Sequence, residues 1–208
     1  MTHRMSRPAV VLATAAGLVL AATASTVAQR PPVDHVRGTV TAADAATLTV
    51  LVRDGKTVTI ALPQKLRISG LAKAKLSSVA KGSYIGTAAA PGPDGMLVAQ
   101  ELLIFPEKMR GVGEGHRKWD LTSDSTMTNA TVESMVERVK GRVLTLSYKG
   151  GRKQVLVPPG APIVTIVRAS RTMLVPGAKV FVVARKGPGG ALQAVRISIG
   201  IDGLMPPM

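Results

Sequence analysis

The chain has 208 residues, no cysteine and a formal net charge of +15 at neutral pH. The lack of cysteine excludes a disulfide framework, thiol catalysis and a lipoprotein-type anchor. The chain also has only one Trp, two Tyr and two Phe. Single-stranded nucleic acids are bound by stacking bases on aromatic side chains, so this composition argues against nucleic acid as the partner.

Residues 1–28 have the pattern of a secretory signal peptide. Two arginines precede an apolar stretch, Ala9 to Ala22, that is shorter than the roughly 20 residues needed to span a bilayer. We expect cleavage after Ala28 or after Ala24, with an uncleaved anchor helix as the alternative. The prediction is a periplasmic or secreted protein that keeps no stable transmembrane segment after processing.

The chain contains an internal repeat. The segment from Val58 to Ile104 aligns without gaps on the segment from Lys153 to Ile199, 95 residues later, and eleven positions are identical. A match of this length at one fixed offset indicates a duplicated structural unit.

Each copy has the alternation and the turn residues of short β-strands. The connecting segment 71–81, which follows the third strand, could form a short helix. The strands predicted in the first copy are 37–41, 47–53, 57–62, 83–89 and 96–104. Those predicted in the second copy are 130–134, 142–148, 153–157, 178–184 and 191–199.

Five strands with a connection after the third are typical of a small OB-type barrel, whose closed sheet removes exposed edges. The sequence therefore predicts an all-β protein of two tandem five-stranded OB-like barrels. The first barrel would occupy residues 29–105 and the second residues 129–208. A Gly-rich, charged linker, residues 106–128, would join them.

Recurrent short motifs mark the strand ends. The first copy contains Gly38-Thr-Val40, Asp54-Gly55, Leu62-Pro63 and Asp94-Gly-Met-Leu-Val-Ala99, and the second keeps Gly190-Ala-Leu-Gln-Ala194 but loses both Asp residues. In these motifs the chain resembles a bacterial exported family of unknown function built from OB-like repeats. The resemblance implies the fold; because the motifs are turn and core positions, it implies no activity.

The sequence contains no recognisable catalytic site. No G-x-S-x-G motif is present, and most carboxylates lie in predicted turns or beside basic residues. His35 precedes the first strand without a partner nearby in sequence and is interpreted as a solvated surface residue. We therefore predict a non-enzymatic protein with no cofactor.

Unusual residues gather in and around the linker, among them His116, Trp119 and Asp120. The simplest interpretation is an ordered linker in which Trp119 fills the seam between the barrels. One alternative is a copper-type site formed by Met109, His116 and Met127, because thioether and imidazole ligands suit Cu(I). Another is a ligand pocket between the barrels.

The positive charge is concentrated in residues 129–208, which contain twelve basic and three acidic residues. Such a field attracts polyanions. The sequence therefore predicts binding of an anionic envelope polymer or a protein partner, mainly through the second barrel. The candidate contacts are Arg138, Lys140, Arg142, Lys149, Arg152, Lys153, Arg168, Arg171, Arg185 and Lys186.

Overall fold

The structure is a computed structural model that describes residues 32–92 and 94–207, so the predicted signal peptide lies outside the described residues. Within these ranges the chain forms fourteen strands and five 3-10 turns, and none of its helices is long and apolar enough to cross a membrane. The strands are β1 (Asp34–Ala43), β2 (Thr47–Val52), β3 (Thr57–Ala61), β4 (Arg67–Lys73), β5 (Tyr84–Pro91), β6 (Leu97–Ala99), β7 (Leu102–Ile104), β8 (Gly115–Lys118), β9 (Thr126–Arg138), β10 (Gly141–Tyr148), β11 (Gly151–Val157), β12 (Ile163–Arg168), β13 (Lys179–Lys186) and β14 (Leu192–Gly200). The turns are Leu76–Ser78, Glu107–Met109, Arg171–Met173, Pro188–Gly190 and Ile201–Gly203.

The all-β prediction is confirmed, and nine of the ten predicted strands are present as single strands. The remaining one, 96–104, is divided into β6 and β7. The predicted helix in segment 71–81 is wrong, because β4 runs through Lys73 and only the 3-10 turn Leu76–Ser78 follows it. Buried apolar positions in β4 explain the difference. Gly70 and Leu71 are both buried in an extended strand that pairs on its two sides, so the segment is held as sheet.

The 95-residue offset is preserved in the backbone. The strands β11, β12 and β13 occupy the positions of β3, β4 and β5, and the turn Arg171–Met173 repeats Leu76–Ser78. Gly82 and Gly177 have φ values of 88° and 91°, which L-residues with side chains rarely adopt. The same backbone conformation at both positions explains why glycine is retained in each copy.

The strands of the described chain form two closed rings within one hydrogen-bonded sheet. In the first ring the order is β1-β2-β3-β14-β13, and β13 pairs with β1 to close it. In the second ring the order is β9-β10-β11-β6-β5, and β5 pairs with β9. Each ring combines strands from both repeats.

The predicted tandem arrangement, in which each repeat forms its own barrel, is not confirmed. The first three strands of each repeat pair with the last strands of the other repeat. The reason lies in β4 and β12, which continue as extended strands after the third strand of each repeat. A strand advances the chain by about 3.3 Å per residue, so these segments carry it across to the other ring.

The two crossover strands are also paired with each other. β4 and β12 run antiparallel, with Gly70 opposite Val167, and each has a parallel neighbour, β14 beside β4 and β7 beside β12. The crossover therefore forms a four-stranded bridge, β14-β4-β12-β7, between the rings.

Three apolar clusters match this arrangement. The first ring encloses a core that joins Leu48 of the first repeat to Val182 of the second, and the second ring encloses one that joins Ile85 to Leu144. A third cluster, which includes Leu71, Leu103, Val164 and Phe181, lies at the crossover. Because each ring core needs both repeats, the described chain folds as one compact unit.

Candidate functional site

A cavity of about 100 Å³ lies at the crossover between the rings. Three of the residue pairs that line it are related by the 95-residue offset. They are Leu71 and Ile166, Glu101 and Arg196, and Leu103 and Ser198. Equivalent positions of the two repeats therefore supply six of the fifteen residues that line the cavity.

Irregularities in the last strand of each repeat turn Glu101 and Arg196 toward the cavity. The N–H groups of Gln100 and Glu101 both point to the Ala88 carbonyl, at 2.8 and 3.3 Å, so two residues oppose one. The register of β14 shifts at the equivalent place: Arg196 lies opposite Val183 and Ala194 lies opposite Ala184, so that Val195 is the extra residue. Such bulges change which face a side chain occupies. Here they place one acidic and one basic residue at the crossover.

Glu101 is fully buried, and neither of its carboxyl oxygens has a hydrogen-bond partner among the described residues. Burial raises the pKa of Glu101 to about 8, since the charged form loses its hydration. The nearby Ala88 backbone N–H and the positive charge of Arg37 partly offset this rise in pKa, although the Ala88 N–H makes no hydrogen bond with the Glu101 carboxyl oxygens. A carboxyl group held in this way is neutral at pH 7.

Trp119 is one of the residues that line the cavity. Its ring lies 4.6 Å from the ring of His35 and 6.4 Å from that of Phe181, measured between centroids. The Arg117 guanidinium carbon is 5.7 Å from the Trp119 ring centroid. The indole Nε1–H is buried and has no acceptor within the described ranges. A second residue that lines the cavity thus carries an unsatisfied polar group.

Asp120 anchors the segment that carries Trp119. Its carboxylate accepts two hydrogen bonds from Arg37, at 2.8 and 3.2 Å, and lies 2.9 Å from His35 Nδ1. Burial alone would raise the pKa of Asp120, but these hydrogen bonds outweigh it and lower the pKa to about 2.

The interpretation of His35 as a solvated residue is wrong: only 12% of its side chain is exposed. The contact spans 85 residues, so local sequence could not reveal it.

Next to the cavity a wider groove of about 760 Å³ exposes a cluster of arginines. Arg196 on β14 lies directly opposite Arg67 on β4, and Arg168 on β12 lies opposite Ser69. Alternate residues of a strand share a face, so these side chains stand together across three strands. We call Arg67, Arg168 and Arg196 the arginine face.

The arginine face has no negative counterpart in the described parts of the chain. None of the groove-lining residues is acidic, and no ion pair involves these three arginines. Partial burial, together with the charges of Arg117 and Arg67, lowers the pKa of Arg196. The groove and the cavity share Arg196 and Ser69, so they form one continuous site.

Comparisons of the chain with protein-family models, curated proteins and solved structures find no match. The site must therefore be interpreted from its own geometry.

The residues considered for copper are not brought together on one surface. Met109 and Met127 line the cavity, but His116 lies opposite Thr128 on the ribbon of β8 and β9, one position away from Met127. Neighbouring strand residues face opposite sides. The His116 Nδ1 lies 2.8 Å from Thr128 Oγ1 instead. Across residues 32–92 and 94–207 no group of three His, Asp or Glu side chains could hold a metal ion.

The ten basic residues predicted as an anionic contact surface are divided between the rings. Arg138, Lys140, Arg142, Lys149, Arg152 and Lys153 belong to β9–β11 or their connections in the second ring, while Arg185 and Lys186 belong to β13 in the first. Several have partners: Arg142 pairs with Glu137, Arg152 pairs with Glu133, and Arg171 donates to the carbonyls of Ala45 and Pro63. Of the ten, Arg168 alone lies on the arginine face.

Sequence reasoning did not single out Glu101, Arg67 or Arg196. A signal was available for two of them. Glu101 and Arg196 are equivalent positions, and each is the single charged residue of its strand segment, Leu97–Ile104 or Leu192–Ile199. Arg67 had no such signal, since it lay in a segment that was not predicted to be a strand.

Proposed function

We propose that this chain is an exported, non-enzymatic binding protein that holds an anionic ligand on the arginine face. The observation that carries the proposal is the juxtaposition of Arg196 and Arg67 on adjacent strands without a neutralising carboxylate. Like charges directly opposite each other destabilise a sheet. An anionic ligand would turn this repulsion into favourable contacts.

The ligand's anionic group is a phosphate, sulfate or carboxylate. Guanidinium groups bind such groups through two parallel hydrogen bonds, and three arginines on neighbouring strands offer several donors within a short distance. Lys108 adds a fourth positive charge to the groove. Apolar neighbours such as Met109 and Ile166 lower the local polarity and strengthen the attraction.

This proposal places the main contact at the crossover and not on the second barrel. The basic residues of the second repeat are spread over both rings, and their field still attracts anions from a distance. An anionic envelope polymer or an acidic protein partner would be drawn in by that field and held by Arg67, Arg168 and Arg196.

We also propose that the two rings are OB-like barrels completed by strand exchange. Support comes from the order of the strands, in which the third strand of each repeat runs parallel to a strand near the end of the other, β3 with β14 and β11 with β6. The residues 1–28, with the pattern of a signal peptide, support export to the periplasm or the medium.

Calorimetric titration with tripolyphosphate tests the binding proposal. Arg67→Gln and Arg196→Gln should each weaken binding at least about tenfold, because each removes a charge-assisted hydrogen bond. Arg138→Gln is the matched control: it removes one positive charge from the β9 end of the second ring. Equal losses in all three variants would show that only net charge matters, and would overturn the arginine face as the site.

A further inference from the structure

The cavity at the crossover has an acidic residue at one, and a basic residue at the other, of two equivalent positions. Glu101 and Arg196 are 95 residues apart, each follows a bulge in the last strand of its repeat, and both line the same cavity. Identical residues at these positions would treat both ends of a bound molecule alike. A Glu in one copy and an Arg in the other give the cavity a direction.

These two residues do not neutralise each other. They form no ion pair in the described chain, and both carboxyl oxygens of Glu101 lack hydrogen-bond partners. The Arg37 charge also acts on Glu101, but the Arg37 guanidinium donates two hydrogen bonds to Asp120. A buried polar group without a hydrogen-bond partner destabilises the folded protein, so the presence of Glu101 at this position requires an explanation.

We propose that the cavity binds a small zwitterion, with its ammonium group at Glu101 and its anionic group at Arg196. The inference rests on the proposed function, since Arg196 belongs to both the cavity and the arginine face. An ammonium group supplies the hydrogen-bond donors that the Glu101 oxygens lack. The Trp119 Nε1–H, also unsatisfied, is a donor for the anionic end.

The size of the cavity limits the ligand. Its volume of about 100 Å³ is smaller than the roughly 150 Å³ of an engineered cavity that accepts benzene. An amino-carboxylate of the size of glycine, alanine or β-alanine is therefore the class that fits. Because the Glu101 oxygens expose less than 1 Å² each, the Glu101 side chain must rotate when the ligand enters.

Calorimetry with β-alanine, acetate and methylammonium tests this inference. β-Alanine should bind at least about tenfold more tightly than acetate or methylammonium, because only the zwitterion engages both charges. Binding to Glu101 requires its carboxylate form, so the neutral carboxyl must lose its proton to the buffer. Titrations in buffers of different ionisation enthalpy should therefore show release of about one proton with β-alanine, and none with acetate.

Two variants distinguish a ligand-binding role of Glu101 from a purely structural one. Glu101→Gln keeps the side-chain shape and should abolish the proton release while weakening β-alanine binding at least tenfold. Glu137→Gln, at an exposed ion pair with Arg142, should change neither. Equal binding of acetate and β-alanine by the native protein, or unchanged β-alanine binding by Glu101→Gln, would overturn the inference.

The result for tripolyphosphate distinguishes the two proposals. If tripolyphosphate binds through Arg67 and Arg196 while β-alanine does not bind, the zwitterion inference fails and the arginine face stands. If tripolyphosphate fails to bind while β-alanine binds with proton release, the cavity is a site in its own right and the proposed function fails.

Discussion

His35 Nδ1 lies 2.9 Å from Asp120 Oδ1, and this contact joins the first strand to the segment between the repeats. Arg37, two residues along β1, donates to the same carboxylate. The Trp119 ring is therefore held against the crossover by its neighbour in sequence. This small network fixes the position of a residue that lines the cavity.

Asp120→Asn should lower the free energy of unfolding at pH 7 by about 1 kcal/mol, a value reduced for the half-exposed side chain. The folded pKa of Asp120 is about 2, below its usual value, so its contribution is present above about pH 4 and is lost as the pH falls toward 2. Urea unfolding between pH 2 and 7 measures this. Asp94→Asn, which removes a carboxylate from an exposed turn, is the control for the loss of one negative charge.

Glu101→Gln should stabilise the protein increasingly as the pH rises from about 4 to 8. The unfolded Glu ionises near pH 4.3, whereas the folded group does so near pH 8, so native stability falls across this interval. Gln has no such penalty, and the difference should reach a few kcal/mol at pH 8. A difference that stays constant with pH would show that Glu101 is ionised in the folded protein.

Strand exchange predicts a specific cross-link. Thr39 on β1 lies opposite Lys179 on β13, and directly opposite residues in antiparallel strands have a Cα separation that a disulfide tolerates. The native chain has no cysteine, so the double variant Thr39→Cys/Lys179→Cys should form one intramolecular disulfide on oxidation.

The control pairs Thr39→Cys with Tyr84→Cys, because Tyr84 is the residue equivalent to Lys179 in the first repeat. It should not form the bond, since β5 pairs with β9 in the second ring. A disulfide in the Tyr84 variant, with none in the Lys179 variant, would mean that each repeat closes on itself. Non-reducing electrophoresis and peptide mass mapping distinguish the two results.

Trp119→Ala should lower the free energy of unfolding by about 2 to 3 kcal/mol, because it removes a large ring packed on His35 and Phe181. His116→Ala should cost about 1 kcal/mol or less, since it removes a single hydrogen bond to Thr128. Thermal and urea denaturation provide the comparison. A larger loss in the His116 variant would contradict this order.

The signal-peptide prediction requires that the exported protein begin at Gln29 or Ser25. Intact-mass measurement of the protein recovered outside the cytoplasm tests it. A mass that still includes Met1 would indicate an uncleaved anchor and would contradict the prediction.

The strand content was predictable because it depends on local patterns. Alternation of apolar residues and the glycines of the turns identified ten strands, and Gly82 and Gly177 have the same left-handed conformation. The partners of those strands were not predictable. The same apolar strand faces could form a ring within one repeat or a ring shared between the two repeats. Only the extended course of β4 and β12 favours the shared rings.

The candidate site was predicted only in part. Trp119 and the two Met residues of the linker region do line the cavity. Two of its ionisable groups, Glu101 and Arg196, come from strands that the sequence analysis assigned to separate barrels. Glu101 and Arg196 meet because their strands, although in different rings, both border the crossover. The 95-residue offset shows that the two positions are equivalent, but that they line the same cavity depends on tertiary topology.

The exchange of strands also governs when the molecule can fold. Val36 on β1 pairs with Val182 on β13, so the first ring cannot close until nearly the whole chain is available. Contacts between residues so far apart in sequence raise the contact order and slow folding. For an exported chain that emerges amino terminus first, the first ring would close only after β13 and β14 have appeared, whereas the second ring, built from strands between residues 84 and 157, could close earlier.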